Sequence, residues 1–436
     1  MKKIISGIIL FLIAAVLIIP LIVGIAAEKE INKQINELSK NTHITVSNVY
    51  KRSWFSSNAE ISFDLSELLN SYNLPRFDAM PSSATIMVKT RSEIIHGPFS
   101  LKRFYPNQPM AVPVLGIMKN ITTVIFPPDF LDFTPAITTY MSIYPNGSMS
   151  GIFTIPGSDY KINDGSELRF SKTDGEIGFS SDASKLFLTL NIPDIFFKNL
   201  DKELNITGLK CSLHADRKDN EIQSGDFKIE FDSLVSDKAK ISNCSFSSSS
   251  KEKDGNLFFN TGFSIQSFKG SDTDFGPAEI ELSGKRIKKD VYKQLTALLS
   301  DLNNKSDNQF AHILLMTQIM GLLPELLSES PEISLTKMKI NTPEGLVSAN
   351  ASIKVDKSKL INPNNIKEII KSIDMDFFIT IPDNIAEKYI FDNENPRSVM
   401  LQKMMVKNNV NYTLNLEYKD SQFFVNGKPF SLDSDN

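Results

Sequence analysis

Twenty-four consecutive residues near the N-terminus, Ile4 to Ala27, carry no charge. As a helix rising about 1.5 Å per residue, such a stretch reaches roughly 36 Å, more than a hydrocarbon core of about 30 Å. It is also longer than the apolar region of a cleaved leader, about 7–15 residues. Lys2 and Lys3 precede it, and Glu28 is the first charge after it. The positive-inside rule then keeps the N-terminus in the cytoplasm and exports the chain beyond Ala27. A cut near Gly24-Ile25-Ala26 is the alternative; the length predicts a retained single-pass anchor. A second apolar run, Phe310 to Leu327, is interrupted by His312, Gln318, Pro324 and Glu325. It reads as a core helix lying against a sheet.

The remainder changes texture. Ile31, Ile35 and Leu38 recur at helical spacing, so 28–42 reads as an amphipathic stalk after the anchor at 1–27. From His43 onward, short runs alternate apolar and polar residues between Gly, Asn, Asp and Ser turns. That is the period-two signature of an antiparallel meander, here predicted over 43–284. Within it, the spacing near VLGIMKNITTVI predicts a short helix. Helical spacing returns from Lys285 and predicts a helical segment over 285–330 packing on the sheet. Residues 331–436 read as hairpins and helices completing the body, with turns at Pro343-Glu344-Gly345 and Lys419-Asp420-Ser421. The expected class is α+β, mostly antiparallel β: an N-terminal transmembrane helix, then a sheet-rich periplasmic body with several packed helices.

Composition narrows the chemistry. Of 436 residues, 41% are hydrophobic and 22% charged, so a packed core is affordable. Forty-seven basic against 51 acidic residues is no nucleic-acid footprint. The four histidines, His43, His96, His214 and His312, are isolated. None sits in H-E-x-x-H, and no C-x-x-C, G-x-S-x-G or phosphate loop occurs. Cys211 and Cys244 lie in neighbouring strand-like runs. A disulfide and two reduced, buried thiols are both compatible with an oxidising compartment. No catalytic, cofactor or metal residue is expected, and no enzyme activity.

Two sets of residues stand out nonetheless. In His96-Gly97-Pro98, the proline excludes αR for Gly97, so a strand must turn there, and His96 reads as a structural turn residue. Phenylalanines recur along the meander, and Phe231, Phe263 and Phe268 are candidates for a ligand or partner face.

Several passages carry a resemblance over nearly the whole chain. They are the anchor followed by a charged helix, Tyr50 with Phe55-Ser56-Ser57, and His96-Gly97-Pro98-Phe99. LPELLSESPEISLTKMKINTPEG, Leu323 to Gly345, and the closing VNGKPFSL complete the set. In these the chain resembles the YdgA-like family of bacterial inner-membrane proteins, of uncharacterised function, and more loosely AsmA-like envelope proteins. The resemblance implies a sheet-rich body hung from one inner-membrane helix. The expected role is envelope maintenance, with lipid or a hydrophobic partner held in a curved sheet. The alternative is an envelope scaffold or assembly factor acting by protein contacts. Expected partners are membrane lipid at the N-terminal helix, a lipid or envelope protein at the body, and a second copy in a homodimer through the stalk. No cofactor and no nucleic acid are expected.

Overall fold

A computed structural model describes residues 25, 28, 29, 32, 46–53, 55–64, 86–96, 116–125, 136–144, 146–161, 166–182, 184–199, 202–218, 221–270, 274–304, 309–360, 365–391 and 396–430. The expected α+β class is corrected. The described chain is overwhelmingly antiparallel strand, with helix reduced to a few insertions. Among the described residues, no helix is long and apolar enough to cross a membrane. The expected anchor lies outside the described residues except for Ile25, which is helical, as are Glu28, Lys29 and Asn32 of the stalk. The helix expected near VLGIMKNITTVI is also strand. Its Ile, Thr and Val residues lose side-chain freedom in a helix and fit a pleated sheet.

The chain divides into two compact units, Met1–Asp219 and Asn220–Asn436. In the first, each strand pairs with the next: β1 (Val46–Arg52), β2 (Ser56–Asp64), β3 (Met87–His96), β4 (Gly116–Ile125), β5 (Ala136–Ile143) and β6 (Met149–Ile155). β6 and β7 (Ser158–Lys161) then form one arm of a broken hairpin. Its other arm is β8 (Glu167–Phe170) and β9 (Thr173–Phe179). β10 (Lys185–Asn199) pairs along that whole arm, and β11 (Lys202–Lys218) along β10. Arg52 ion-pairs with Glu28 at 2.9 Å and Asn48 donates to Asn32 at 2.8 Å, which ties the stalk residues to β1.

The second unit repeats the logic. β12 (Glu221–Ser236), β13 (Ala239–Lys253), β14 (Asn256–Gly270) and β16 (Ala278–Lys288) pair in turn, with a two-residue β15 (Asp274–Phe275) beside β14. β17 (Glu332–Thr342), β18 (Gly345–Val355), β19 (Ile373–Pro382) and β21 (Asn411–Lys419) continue the order. β20 (Val406–Asn408) and β22 (Gln422–Val425) share the far side of β21, and β23 (Lys428–Phe430) closes on β22. Tight turns at Asp254-Gly255, Asp420-Ser421 and Asn426-Gly427 have positive φ at both positions, the geometry that matches strand twist. Helices α1 (Lys289–Asn304) and α2 (Gln309–Leu327) are inserted between β16 and β17. The first therefore starts at Lys289, after a strand that runs on to Lys288. α3 (Ile366–Ser372) is capped by the Asn365 side chain, which accepts from Lys367 N at 3.0 Å. α4 (Pro396–Met404) follows a π-turn at 386–390.

In both units the apolar alternation changes parity partway along the strands. In β11, Leu204 and Ile206 give way to Leu209, Cys211, Leu213 and Ala215, and Gly208 between them has φ +65°. In β13, Ala239 and Ile241 give way to Cys244 and Phe246 across Asn243, at φ +48°. A left-handed residue rotates the following side chains, so one sheet face stays apolar although the sequence period slips by one.

Three phenylalanines lie over cross-strand glycines: Phe153 over Gly175, Phe187 over Gly178 and Phe259 over Gly284. A Cβ at any of these glycines would enter the ring. Gly178→Val is therefore expected to destabilise the first unit by about 1–3 kcal/mol through overpacking in a sheet that has no slack. Gly255→Ala, where a Cβ meets nothing, strains only the turn. Urea titration of the two variants checks the ranking.

Candidate functional site

The register of the second unit builds continuous apolar rungs across the strands. One rung runs Ile229, Phe246, Phe263, Ile280, Met338, Ala349, Ile379, Leu414. The next runs Phe227, Ser248, Thr261, Leu282, Leu335, Ala351, Phe377, Leu416. A third includes Phe259, Gly284, Ile333, Ile353, Met375 and Tyr418. The opposite face carries Glu279, Glu281, Lys337, Lys339, Asn350, Asp376 and Glu417, with a Lys337–Glu279 ion pair. Such one-sided alternation belongs to a sheet that covers one face.

Among the described residues, packed cores cover the two ends of the apolar face. Ile381, Ala386, Met405 and Leu414 form a core against which Ile385, Ile390, Phe391, Leu401, Phe377 and Ile379 pack. At the other end, Cys244, Ile265 and Ala278 pack with Phe231, Ile241, Phe268, Phe275 and Ile340. Between these cores the rungs are open: Phe263 is 38% exposed, Leu282 38%, Ile333 47%, Ile353 46% and Met375 38%. In the first unit Ala59, Ser92, Ile94 and Met141 share a face and are all buried, while Val49, Ile121 and Ile152 of the other face are exposed among charged neighbours.

The sequence candidates separate accordingly. Phe263 sits in the open part, whereas Phe231 and Phe268 are partly buried against the Cys244 cluster, Phe268 stacked on Phe275 at 4.8 Å. The open aliphatic residues were not singled out from sequence, although the alternation in AEIELSG and in Ile333-Ser334-Leu335 is the signal that marks them. His96 ends β3 opposite Gly116, and Gly97 and Pro98 lie outside the described residues.

Little else converges. Among the described residues, no group of three or more His, Cys, Asp and Glu side chains could hold a metal ion. His214 stacks against Phe187 at 6.5 Å. Both cysteines are free, Cys211 half-buried and Cys244 buried, and burial raises both thiols above their ordinary range, away from reactivity. A shallow depression on the first unit is lined by Lys51, Glu60, Arg91, Glu93 and Lys119 together with Val49 and Ile121. Arg91 and Glu60 pair there at 3.7 Å, both exposed. Such a solvated ladder lacks the burial that activates catalytic groups.

Among the described residues, the open part of the apolar face contains no ionisable side chain. Its hydroxyls are internally satisfied where Ser248 and Thr261 bond across the strands at 3.1 Å. It can hold an apolar group without charge or hydrogen-bond readout. The sequence model of a family described as bacterial protein of unknown function, DUF945, matches residues 1–433. No curated relative and no solved structure matches the chain.

Proposed function

We propose, for a chain that belongs to this family of bacterial proteins of unknown function, a role in binding rather than catalysis: the open apolar face of the second unit takes the acyl chains of a lipid. The protein would work in envelope maintenance at the inner membrane, attached through the uncharged segment Ile4–Ala27 with its body on the periplasmic side. The resemblance to YdgA-like and AsmA-like envelope proteins agrees with that setting.

The supporting observation is the uncovered ladder. Phe263, Ile280, Leu282, Ile333, Ile353 and Met375 are neighbours in register, each more than a third exposed. Their exposed parts add up to a patch on the order of a few hundred Å², a size that usually marks a binding surface. Its chemistry favours hydrocarbon over protein. Protein interfaces carry about one hydrogen bond per 100–200 Å² and lean on Trp, Tyr and Arg anchors. This ladder offers Phe, Ile, Leu and Met, and almost no polar partner.

The test is lipid carried through purification. Solvent extracts of the wild-type protein should contain lipid by mass spectrometry, and Ile353→Asp should lower its amount roughly tenfold, since an acyl chain would have to desolvate a carboxylate. A lipid-free wild type, or equal lipid in the variant, would contradict the reading.

A further inference from the structure

One end of the second unit gathers three lysines. Lys240 of β13 and Lys269 of β14 stand directly opposite each other in register, and Lys238 lies in the turn before them. All three are exposed, and none has an ion-pair partner among the described residues. A depression there is lined by Ser236, Asp237, Lys238, Ala239, Lys240, Lys269 and Gly270. Ala239 and Gly270, opposite each other, add almost no bulk to it. Ser236 Oγ accepts from Ala239 N at 3.1 Å and fixes the turn. Asp237 follows in the turn, and Asp274 stands opposite Lys269 in β15.

Like charges placed opposite each other on a ladder destabilise the free sheet. Elsewhere on this polar face lysines stand beside carboxylates, as Lys337 does with Glu279 and Lys228 with Glu230, at 2.6 Å in the latter pair. Lys269 also has Asp274 opposite it in β15, but no ion pair joins the two, and Lys240 faces only Val235 and Lys269 across its neighbouring strands. A bound anion reverses the sign of the arrangement. Three ammonium groups around a depression suit a tetrahedral oxyanion, to which lysine offers point charges from several directions.

We propose that Lys238, Lys240 and Lys269 form a binding site for a phosphate group, as a phosphomonoester or phosphodiester. The group can be free or the headgroup phosphate of an anionic glycerolipid. Only the headgroup source rests on the lipid reading above; the phosphate site stands without it.

The full chain in neutral detergent provides the test. The melting temperature of the wild type should rise as inorganic phosphate is added, and that of the Lys238→Gln/Lys240→Gln/Lys269→Gln variant should not. Without phosphate the variant should melt no lower than the wild type, because its change removes a repulsion. Titration with short-chain phosphatidylglycerol and phosphatidylcholine below their micelle concentrations identifies the source. If the site takes a headgroup, the wild type binds the anionic lipid more tightly, and the variant loses on the order of a hundredfold in that affinity, each lysine contributing about what it does near an anionic surface. Equal binding of both lipids, with the phosphate response still lost in the variant, assigns the site to free phosphate. An absent phosphate response in the wild type, or the same response in the variant, overturns the proposal. Lipid retention at Ile353 is measured separately, so either reading can fail alone.

Discussion

Phe263→Asp is expected to leave the second unit folded, and Leu414→Asp to unfold it. Both residues stand on the same cross-strand rung, and both changes place a carboxylate where an apolar side chain was. They differ in what surrounds them. Leu414 is 2% exposed, enclosed by Ile381, Ala386 and Met405. Truncating such a residue costs about 2–5 kcal/mol, and burying an unpaired charge adds to it. That approaches the whole stability of a domain, about 5–15 kcal/mol. Phe263 is 38% exposed and its carboxylate replacement keeps its water, so the loss is confined to contacts with Phe246 and Ile280, about 1–2 kcal/mol. Phe231→Asp, at a partly buried residue packed against the Cys244 cluster, is expected to fall between the two. Urea unfolding followed at two wavelengths reads the difference. Equal collapse for Phe263 and Leu414 would mean a closed core.

Breaking the ion pair between Lys289 and Glu252 is expected to cost about 3–5 kcal/mol, the largest effect among the ion pairs of the described residues. The pair joins the first residue of α1 to β13, with side-chain exposures of 10% and 17%. Lys289 N also donates to Gly255 O at 3.0 Å, so the helical insertion is fastened at its base to the β13–β14 turn. Lys289→Met strips Glu252 of its charged partner in a site short of water. Adding Glu252→Leu should recover most of the loss, because the desolvation penalty disappears with the charges. By contrast, Lys198–Glu203, with exposures of 46% and 50%, should contribute at most about 1 kcal/mol. A double-mutant cycle by urea titration measures both, and a loss at Lys289 no greater than at Lys198 would refute the anchoring role.

Much of the strand order was legible because it is local. The hairpin β17–β18 turns after Thr342 and β21–β22 turns at Asp420-Ser421, where turn residues interrupt alternation. Asn365 announces α3 by its capping chemistry. Three things were not legible. The run Gly116–Ile125 has apolar residues at both helical and strand spacing, and its neighbours β3 and β5 decide for strand. The parity slips at Gly208 and Asn243 look in sequence like the end of one strand and the start of another, although β11 and β13 pass straight through. The candidate face was read from phenylalanines, the bulkiest residues, yet openness depends on what lies above them. Phe231 and Phe268 are partly buried against a core cluster while Ile333 and Ile353 are exposed, a difference set by contacts remote in sequence.

Met375 and Phe378 offer a matched pair for the central claim. They lie on the same strand, 38% and 39% exposed, and point to opposite faces of the sheet. A photo-crosslinking side chain placed at each position in living cells, followed by intact-mass analysis of the purified chain, records what touches each face. The predicted result is an adduct of lipid mass at 375 and none at 378. An adduct of protein mass at 375, whether another protein or a second copy of this chain, or the same lipid adduct at both positions, would contradict it.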